Sequence, residues 1–186
     1  AALSGGVSVI TGGPGTGKTT CINCIIGVLE GAGMKVALAA PTGRAAKRMT
    51  EATGHEAKTL HRLLEYAAGE DGEGYFKRDE SNPLDADAII VDECSMVDIL
   101  LMQKFLKAIR SGSRLVLVGD ADQLPSVGPG NVLKDVINSG MARVVFLKKI
   151  FRQAESSLII TNAHRVNEGR MPELGRVDSD FFFERK

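Results

Sequence analysis

The chain lacks several features that would assign a protein to a specialised class. Its 23 basic and 23 acidic residues leave no net charge at neutral pH. No apolar run approaches the ~20 residues that a membrane-spanning helix needs, and no secretory signal peptide is recognisable. We therefore expect a cytoplasmic protein that does not act in a membrane. Because 44% of its 186 residues are apolar, we expect one domain over residues 1–186 with a complete core.

Cysteine is scarce, and the three cysteines do not form a zinc-binding pattern. Cys21 and Cys24 make one Cys-x-x-Cys pair, and no second pair completes a zinc site. The apolar positions 21, 24, 25, 28 and 29 follow helical spacing, which predicts that both cysteines face the core. Unpaired, buried cysteines are typical of a reducing compartment.

Charge is unevenly distributed despite the zero total. Lys35–Arg62 contains six basic and two acidic residues, whereas Leu63–Asp98 contains two basic and eleven acidic residues. A chain without net charge can therefore still present a local surface that binds anions.

Predicted strands and helices alternate along the chain. Short apolar runs predict strands at Val7–Thr11, Lys35–Ala40, Ala88–Asp92, Leu115–Gly119, Arg143–Leu147 and Phe181–Glu184. Helical patterns cover Lys18–Glu30, Arg44–Thr53, Thr59–Tyr66, Val97–Ile109, Val132–Asn138 and Ser157–Asn167. This alternation predicts an α/β fold, a mostly parallel sheet flanked by helices on both faces.

Residues 65–87 interrupt the alternation. Their sequence, EYAAGEDGEGYFKRDESNPLDAD, is polar and rich in glycine, with a strand pattern only at Tyr75–Lys77. Both a solvated loop and a small hairpin inserted into the sheet fit this composition.

The end of the first strand carries a phosphate-binding pattern. In sheets of this class, ligands bind at the carboxyl ends of the strands. The pattern G-x-x-x-x-G-K-[ST] is matched between a strand and a helix by Gly12, Gly13, Pro14, Gly15, Thr16, Gly17, Lys18 and Thr19, and Thr20 extends the predicted cofactor-binding segment. The backbone N–H groups would converge on phosphate, Lys18 would reach the β- and γ-phosphates, and Thr19 would ligate Mg²⁺. A chance lysine after a glycine-rich turn would not account for the full pattern.

The strand at Ala88–Asp92 ends in two adjacent carboxylates. Asp92 can hold Mg²⁺ through its water shell, and Glu93 can polarise an attacking water. Adjacent acids at the end of a strand are often only solvated, so this prediction depends on the phosphate-binding pattern beside it.

The strand at Leu115–Gly119 leads into the loop GDADQLPSVGPGN, residues 119–131. We expect Asp120 and Gln123 at the γ-phosphate edge, beside Asp92. A glutamine amide both donates and accepts hydrogen bonds and carries no charge, so it can sense the γ-phosphate or its attacking water without neutralising the magnesium. A plain connection between strand and helix would account for the glycines and prolines of this loop, but not for its Gly-Asp-x-x-Gln pattern.

Six segments occur in the order in which superfamily 1 DNA helicases carry their motifs. Their residues resemble those of the RecD-like, 5′-to-3′ group. They are GGPGTGKTT, APTGRAAKRM, TLHRLL, VDECSMVD, LVGDADQLPSVGPGNVL and IFRQAESSLIITNAHRVNEG. The resemblance implies a RecA-like motor lobe that uses ATP. It further implies that Gln123 couples the phosphate state to the DNA and that Arg152 reaches the γ-phosphate. Without the resemblance, Arg152 could equally be a surface ion-pair partner.

The basic segment supplies candidate contacts to single-stranded DNA. Thr42 and Thr59 stand at positions that cap predicted helices, and a hydroxyl at a helix N-terminus suits a nucleic-acid phosphate. Arg44 is one of several cations that provide local positive charge. The resemblance marks both threonines as DNA contacts, and it implies that an inserted hairpin at 65–87 would split the duplex with Tyr75 and Phe76 stacking on bases.

The resemblance also implies a second RecA-like lobe, with ATP bound between the two lobes. We therefore expect this chain to be a fragment of a longer protein, with little ATPase activity on its own. Two other classes compete with a helicase lobe: a P-loop kinase or GTPase, and a nucleotide-binding interaction module without turnover. The chain has no Asn-Lys-x-Asp guanine motif, and Asp92, Glu93 and Gln123 fit the activation of water better than transfer to a metabolite.

Overall fold

The computed structural model describes residues 6–69, 73–149, 157–174 and 180–182. The strands are β1 (Val7–Thr11), β2 (Val36–Ala40), β3 (Ala57–Thr59), β4 (Tyr66–Ala68), β5 (Gly74–Phe76), β6 (Ala88–Val91), β7 (Arg114–Gly119) and β8 (Arg143–Phe146). The helices are α1 (Lys18–Gly31), α2 (Gly43–Thr53), α3 (Leu60–Leu63), α4 (Ile99–Lys107), α5 (Val132–Asn138) and α6 (Leu158–Asn167), and a 3₁₀ turn covers Cys94–Met96.

Six of these strands form one parallel sheet in the order β3-β2-β6-β7-β1-β8. Strands β6, β7 and β1 are neighbours at its centre, and their carboxyl ends meet at the same edge. The three segments that the sequence singles out follow these strands, so the fold brings them together.

Two apolar layers cover the two faces of the sheet. On one face, Ile22, Ile26 and Leu29 of α1 pack with Met49 of α2 against the central strands. On the other face lie buried residues of α3, α4 and α5, including Phe105, which is fully buried. Burial of one such side chain contributes about 1.5–3 kcal/mol. The predicted α/β fold with helices on both faces is confirmed.

The predicted core face of α1 is wrong at Cys24 and Val28 and confirmed at Leu29. Ile22, Ile26 and Leu29 are buried, whereas Cys24 is exposed and Val28 is 50% exposed. This helix is apolar on nearly every side, so two sets of positions fit helical spacing. The sheet contacts the set with the larger branched side chains.

The segment after α2 also differs from prediction. The expected helix Thr59–Tyr66 is shorter, because Thr59 ends β3 and Glu65, with φ of 54°, leaves the helical conformation. Strand β3 pairs with β2 at the sheet edge. Phe181 and Phe182 are not in a strand, and residues 183–184 lie outside the described residues.

Strands β4 and β5 form a two-stranded antiparallel hairpin within the segment 65–87. Tyr66 lies opposite Phe76, and their rings lie 5.0 Å apart. The ring of His61 in α3 is 5.6 Å from Tyr66 and 5.7 Å from Phe76, which also packs against the core. Because side chains alternate along a strand, Tyr75 lies on the other face, and it is 50% exposed.

None of the described helices is both long enough and apolar enough to cross a membrane.

Candidate active site

The segment between β1 and α1 folds into a compact loop. Thr16 is buried, and its hydroxyl donates to the carbonyl oxygen of Gly13 over 2.8 Å. Gly15 and Gly17 have φ of 74° and 85°, conformations that favour glycine. Gly17 is the N-cap of α1 and provides no side-chain cap, so the first N–H groups of α1 remain for an anion.

Lys18 folds back over this loop. Its Nζ donates to the carbonyl oxygens of Gly12 and Gly13 over 2.7 and 3.0 Å. Burial raises the pKa of both Asp92 and Glu93, and the positive charge of Lys18 opposes this shift.

Asp92 and Glu93 follow β6 directly. Asp92 Oδ1 accepts a 2.8 Å hydrogen bond from the backbone N–H of Glu93, whose φ of 54° is left-handed. Burial raises the pKa of Asp92 against the opposing charge of Lys18. Burial also raises the pKa of Glu93, with the negative charges of Asp92 and Asp120 adding to it. These carboxylates therefore occupy an environment that disfavours their negative charge.

A cavity of about 460 Å³ opens beside this acidic pair. Thr19, Arg48, Asp92 and Glu93 all contribute to its lining. The positive charge of Arg48 opposes the rise that burial causes in the pKa of Glu93. The fold thus brings Thr19 and Asp92, the two predicted magnesium ligands, to one cavity.

The loop after β7 is anchored to both neighbouring segments. Thr11 Oγ1, at the end of β1, accepts a 3.0 Å hydrogen bond from the N–H of Ala121. Ser95 Oγ donates a 2.8 Å hydrogen bond to Gln123 Oε1. Asp120 acts electrostatically on Glu93, so the start of this loop lies close to the acidic pair.

Sequence reasoning missed three contributors to this site: Thr11, Ser95 and His164. His164 of α6 lies over the loop between β1 and α1, with its Nε2 3.2 Å from the carbonyl oxygen of Pro14. A Cβ on Gly13 would lie 2.6 Å from the His164 ring, so this contact needs glycine there. The sequence could have indicated two of them by position, because Thr11 precedes Gly12 and Ser95 lies two residues after Glu93. No sequence pattern indicated that α6 would contact the loop between β1 and α1.

Thr42 and Thr59 cap α2 and α3, as their positions predict. Thr42 Oγ1 accepts from the N–H of Ala45 over 3.2 Å, and Thr59 Oγ1 accepts from the N–H of Arg62 over 3.1 Å. Both threonines lie at the carboxyl edge of the sheet. Thr42 follows β2, and Thr59 is the last residue of β3, which pairs with β2.

A cavity of about 560 Å³ lies between α2 and the β3–α3 segment. Its lining includes three cations and one of the capping threonines: Lys47, Lys58, Arg62 and Thr59. Arg44 is exposed in the first turn of α2 and is not among the lining residues. Arg152 lies outside the described residues.

Comparisons with known proteins agree with this geometry. A family model described as an AAA domain matches residues 1–129. The chain is similar to the ATP-dependent RecD2 DNA helicase of Deinococcus radiodurans, with 42% identity over 90% of this chain and 22% of that protein. It is also 42% identical to the RecBCD enzyme subunit RecD of Mycolicibacterium smegmatis, over 90% of this chain and 34% of that protein. The chain therefore spans only 22% and 34% of the length of these relatives.

Solved structures support the same fold. The Pif1 helicase from Candida albicans is similar with a TM-score of 0.66 and 28% identity, over 92% of this chain and 42% of that one. A Bacteroides Pif1 in complex with ADP-AlF4 gives a TM-score of 0.56 and 25% identity, over 88% of this chain and 43% of that one. The predicted RecA-like core is confirmed by these neighbours.

Proposed function

Because this chain belongs to the AAA domain family, whose model matches its first 129 residues, we propose that it is the ATP-binding motor lobe of a RecD-like DNA helicase. In this proposal, it couples ATP hydrolysis to 5′-to-3′ movement along single-stranded DNA and to unwinding of the duplex. The main support is the convergence of three segments, after β1, β6 and β7, at one edge of the sheet.

The phosphates of ATP would bind to Gly12–Thr20. Lys18 would exchange the carbonyl oxygens of Gly12 and Gly13, which it now contacts, for β- and γ-phosphate oxygens. The N-terminus of α1 adds its positive end to the same anion.

Mg²⁺ would be held by Thr19 and Asp92. The residues fit the ion, because both line one cavity and supply the hard oxygen ligands that magnesium prefers. The Glu93 N–H fixes one oxygen of Asp92, and the other remains for the ion or its water shell. When bound, Mg²⁺ would neutralise charge on the phosphates.

Glu93 would act as the group that polarises the attacking water. A general base works best with a pKa near the operating pH, and burial moves the pKa of Glu93 in that direction. Gln123 would sense the γ-phosphate and its water through its neutral amide, and Arg152 would supply the charged fork that stabilises the transferred phosphate.

Single-stranded DNA would lie across the starts of α2 and α3. Two capped helix starts at neighbouring strand ends favour this track, as do the cations of the adjoining cavity. We assign Thr42 and Thr59 to phosphate contacts, and Arg44 to the same track through its charge. The β4–β5 hairpin would act as the pin that splits the duplex, with the exposed Tyr75 as its base-stacking residue.

The complete motor would need a second RecA-like lobe, supplied by a longer parent chain. This inference is supported by the lengths of the relatives, which extend far beyond the matched region. A cytoplasmic location is also part of the proposal and fits three cysteines that form no disulfide.

Phosphate release by the full-length protein, with and without single-stranded DNA, tests this function. A helicase motor hydrolyses ATP faster when DNA is added, and it separates a duplex. A kinase would transfer the phosphoryl group to an acceptor other than water, and a binding module would release no phosphate. The comparisons do not favour either of these alternatives.

Lys18→Ala provides the variant for this test. We expect it to lower turnover by at least ~10²-fold, as expected for loss of a preorganised charge at the reacting phosphate. Lys35→Ala is the matched control, because this exposed lysine lies before β2, at the opposite edge of the sheet. Full DNA-stimulated turnover in Lys18→Ala would refute the assignment of the site.

A further inference from the structure

Ser95 contacts Gln123 from inside the protein. Its hydroxyl donates a 2.8 Å hydrogen bond to Gln123 Oε1. Ser95 is only 7% exposed, whereas Gln123 is exposed at the edge of the sheet. A buried hydroxyl on a fixed turn therefore restrains a side chain that would otherwise rotate freely in solvent.

The turn that carries Ser95 is itself well fixed. Glu93 starts it in the left-handed conformation, and the 3₁₀ turn is closed by hydrogen bonds from Met96 N to Glu93 O and from Val97 N to Cys94 O, over 3.0 and 3.1 Å. Cys94 is buried, and its thiol lies 3.3 Å from the carbonyl oxygen of Val91. Ser95 is thus held by the same turn that positions the carboxylate of Glu93.

The end of β7 approaches this turn closely. A Cβ on Gly119 would lie 3.2 Å from the backbone nitrogen of Cys94 and 3.3 Å from that of Ser95. Such contacts are tighter than ordinary packing, so glycine allows the two backbones to meet here. This close approach brings the loop within reach of the Ser95 hydroxyl.

The hydrogen bond has a chemical consequence for the amide. Gln123 has an acceptor oxygen and two N–H donors. Because the amide oxygen accepts a hydrogen bond from Ser95, the two N–H donors of Gln123 are available to a phosphate oxygen or an attacking water. The opposite orientation would present an oxygen to the negative phosphate, which is unfavourable.

We propose that Ser95 is a positioning residue that holds the Gln123 amide with its N–H donors available to the γ-phosphate and its attacking water. The turn that carries Glu93 and the loop that carries Gln123 then respond to ATP as one unit. This inference rests on the proposed function, because it requires Gln123 to sense the phosphate.

A double-mutant cycle in the full-length protein tests the proposal. The variants are Ser95→Ala, Gln123→Ala and the combination, with kcat and KM for ATP measured at saturating single-stranded DNA. We expect Ser95→Ala to lower kcat by about 3- to 10-fold, the factor associated with one hydrogen bond. The KM for ATP should remain within about twofold, since Lys18 and the glycine loop hold the phosphates.

The combined variant should be no slower than Gln123→Ala alone, because Ser95 acts through that residue. Ser95→Thr keeps the hydroxyl and should restore most of the lost turnover. Ser113→Ala is the matched control: it removes a hydroxyl hydrogen bond, to the carbonyl oxygen of Ala86, at the opposite edge of the sheet.

Each outcome decides the question. If the two single effects multiply in the combined variant, or if Ser95→Thr is as slow as Ser95→Ala, Ser95 has only a structural role and the inference is wrong. If Gln123→Ala is slow and Ser95→Ala has wild-type kcat, the inference fails while the sensor role of Gln123 stands. If Gln123→Ala itself has wild-type turnover, the sensor role fails, and the inference fails with it.

Discussion

At the scale of single residues, burial of the acidic pair after β6 lowers the stability of the folded protein when the carboxylates are ionised. Burial raises the pKa of Asp92 from its ordinary value of 3.8. The folded protein therefore holds the proton more tightly than the unfolded chain does. As pH rises above 3.8 and through the raised folded pKa, ionisation of the buried carboxylate removes stability. Bound Mg²⁺ would supply the missing positive charge.

Asp92→Asn should consequently stabilise the protein without nucleotide at pH 7. The asparagine keeps an oxygen that can accept from the Glu93 N–H, and it removes the buried charge. Thermal unfolding would show the gain, with each kcal/mol raising Tm by about 2–4 °C for a chain of this size. The gain should shrink as pH falls towards 3.8, the ordinary pKa of aspartate.

Asp135→Asn, on the exposed side of α5, is the control, and its Tm should stay close to that of the wild type. Mg-ATP should raise the Tm of the wild type more than that of Asp92→Asn, because the variant lacks a magnesium ligand. A lower Tm of Asp92→Asn at pH 7 without nucleotide would show that the carboxylate is not penalised by its burial.

Glu93 gives a separate prediction about the reaction. The carboxylate must be ionised to polarise water, and its pKa is raised by burial and by the charge of Asp92. The turnover of the full-length protein should therefore fall on the acidic side at a higher pH than an ordinary glutamate would give. Glu93→Gln should lower kcat by about 10²–10⁴-fold and leave ATP binding nearly unchanged. Wild-type kcat in this variant would exclude Glu93 as the base.

At the scale of secondary structure, the two faces of the β4–β5 hairpin have different surroundings. The sequence assigns both Tyr75 and Phe76 to base stacking, but pairing places them on opposite faces. Phe76 packs with Tyr66 and His61 and against the core, so it anchors the hairpin to α3. Arg78 adds an ion pair to Glu65, over 2.7 Å, at the base of the hairpin. Only Tyr75 of the predicted pair remains available for a base.

The two faces can be separated by substitution in the full-length protein. Phe76→Ala should lower the free energy of unfolding by roughly 2 kcal/mol, less than for a fully buried phenylalanine. Tyr75→Ala should leave Tm close to the wild-type value, because its ring is half exposed. It should slow strand separation while DNA-stimulated ATP hydrolysis continues. Equal loss of both activities, or loss of neither, would reject the pin.

The sequence predicted elements well where local signals were specific. The strands β1, β6 and β7 follow from short apolar runs, and each is followed by polar residues that we assign to the proposed site. Strand β3 was missed, because Ala57–Thr59 is short and polar and depends on pairing with β2. The buried face of α1 was predicted only in part, because this mostly apolar helix has no distinctive apolar stripe. The contact of His164 with Pro14 depends on tertiary packing, which no local pattern reports.

At the scale of the whole molecule, the described residues would provide one side of the proposed nucleotide site. The ATP of the proposed motor lies between two lobes, and this chain spans 22% and 34% of the two relatives compared above. A missing arginine finger alone can lower the rate by ~10³–10⁵-fold. The surface around Gln123 also includes Leu124 and Val127, which are 84% and 110% exposed and would suit contact with a second lobe.

Residues 1–186 alone should therefore bind ATP weakly and hydrolyse it slowly, with no acceleration by single-stranded DNA. Phosphate release by this segment and by the full-length protein, measured side by side, checks the expectation. Rapid, DNA-stimulated hydrolysis by residues 1–186 would contradict the dependence on a second lobe.

In the proposed motor, DNA held at the starts of α2 and α3 would control ATP turnover at the neighbouring strand ends. The most direct measurement is the concentration of single-stranded DNA that half-activates ATP hydrolysis by the full-length protein. In Thr42→Val combined with Thr59→Val, this concentration should rise by roughly 10-fold or more, since two hydrogen bonds to charged phosphates are lost. Ser139→Ala, which removes a hydroxyl hydrogen bond at the end of α5, should leave it unchanged. An activation curve of the double variant that superimposes on the wild-type curve would contradict the account.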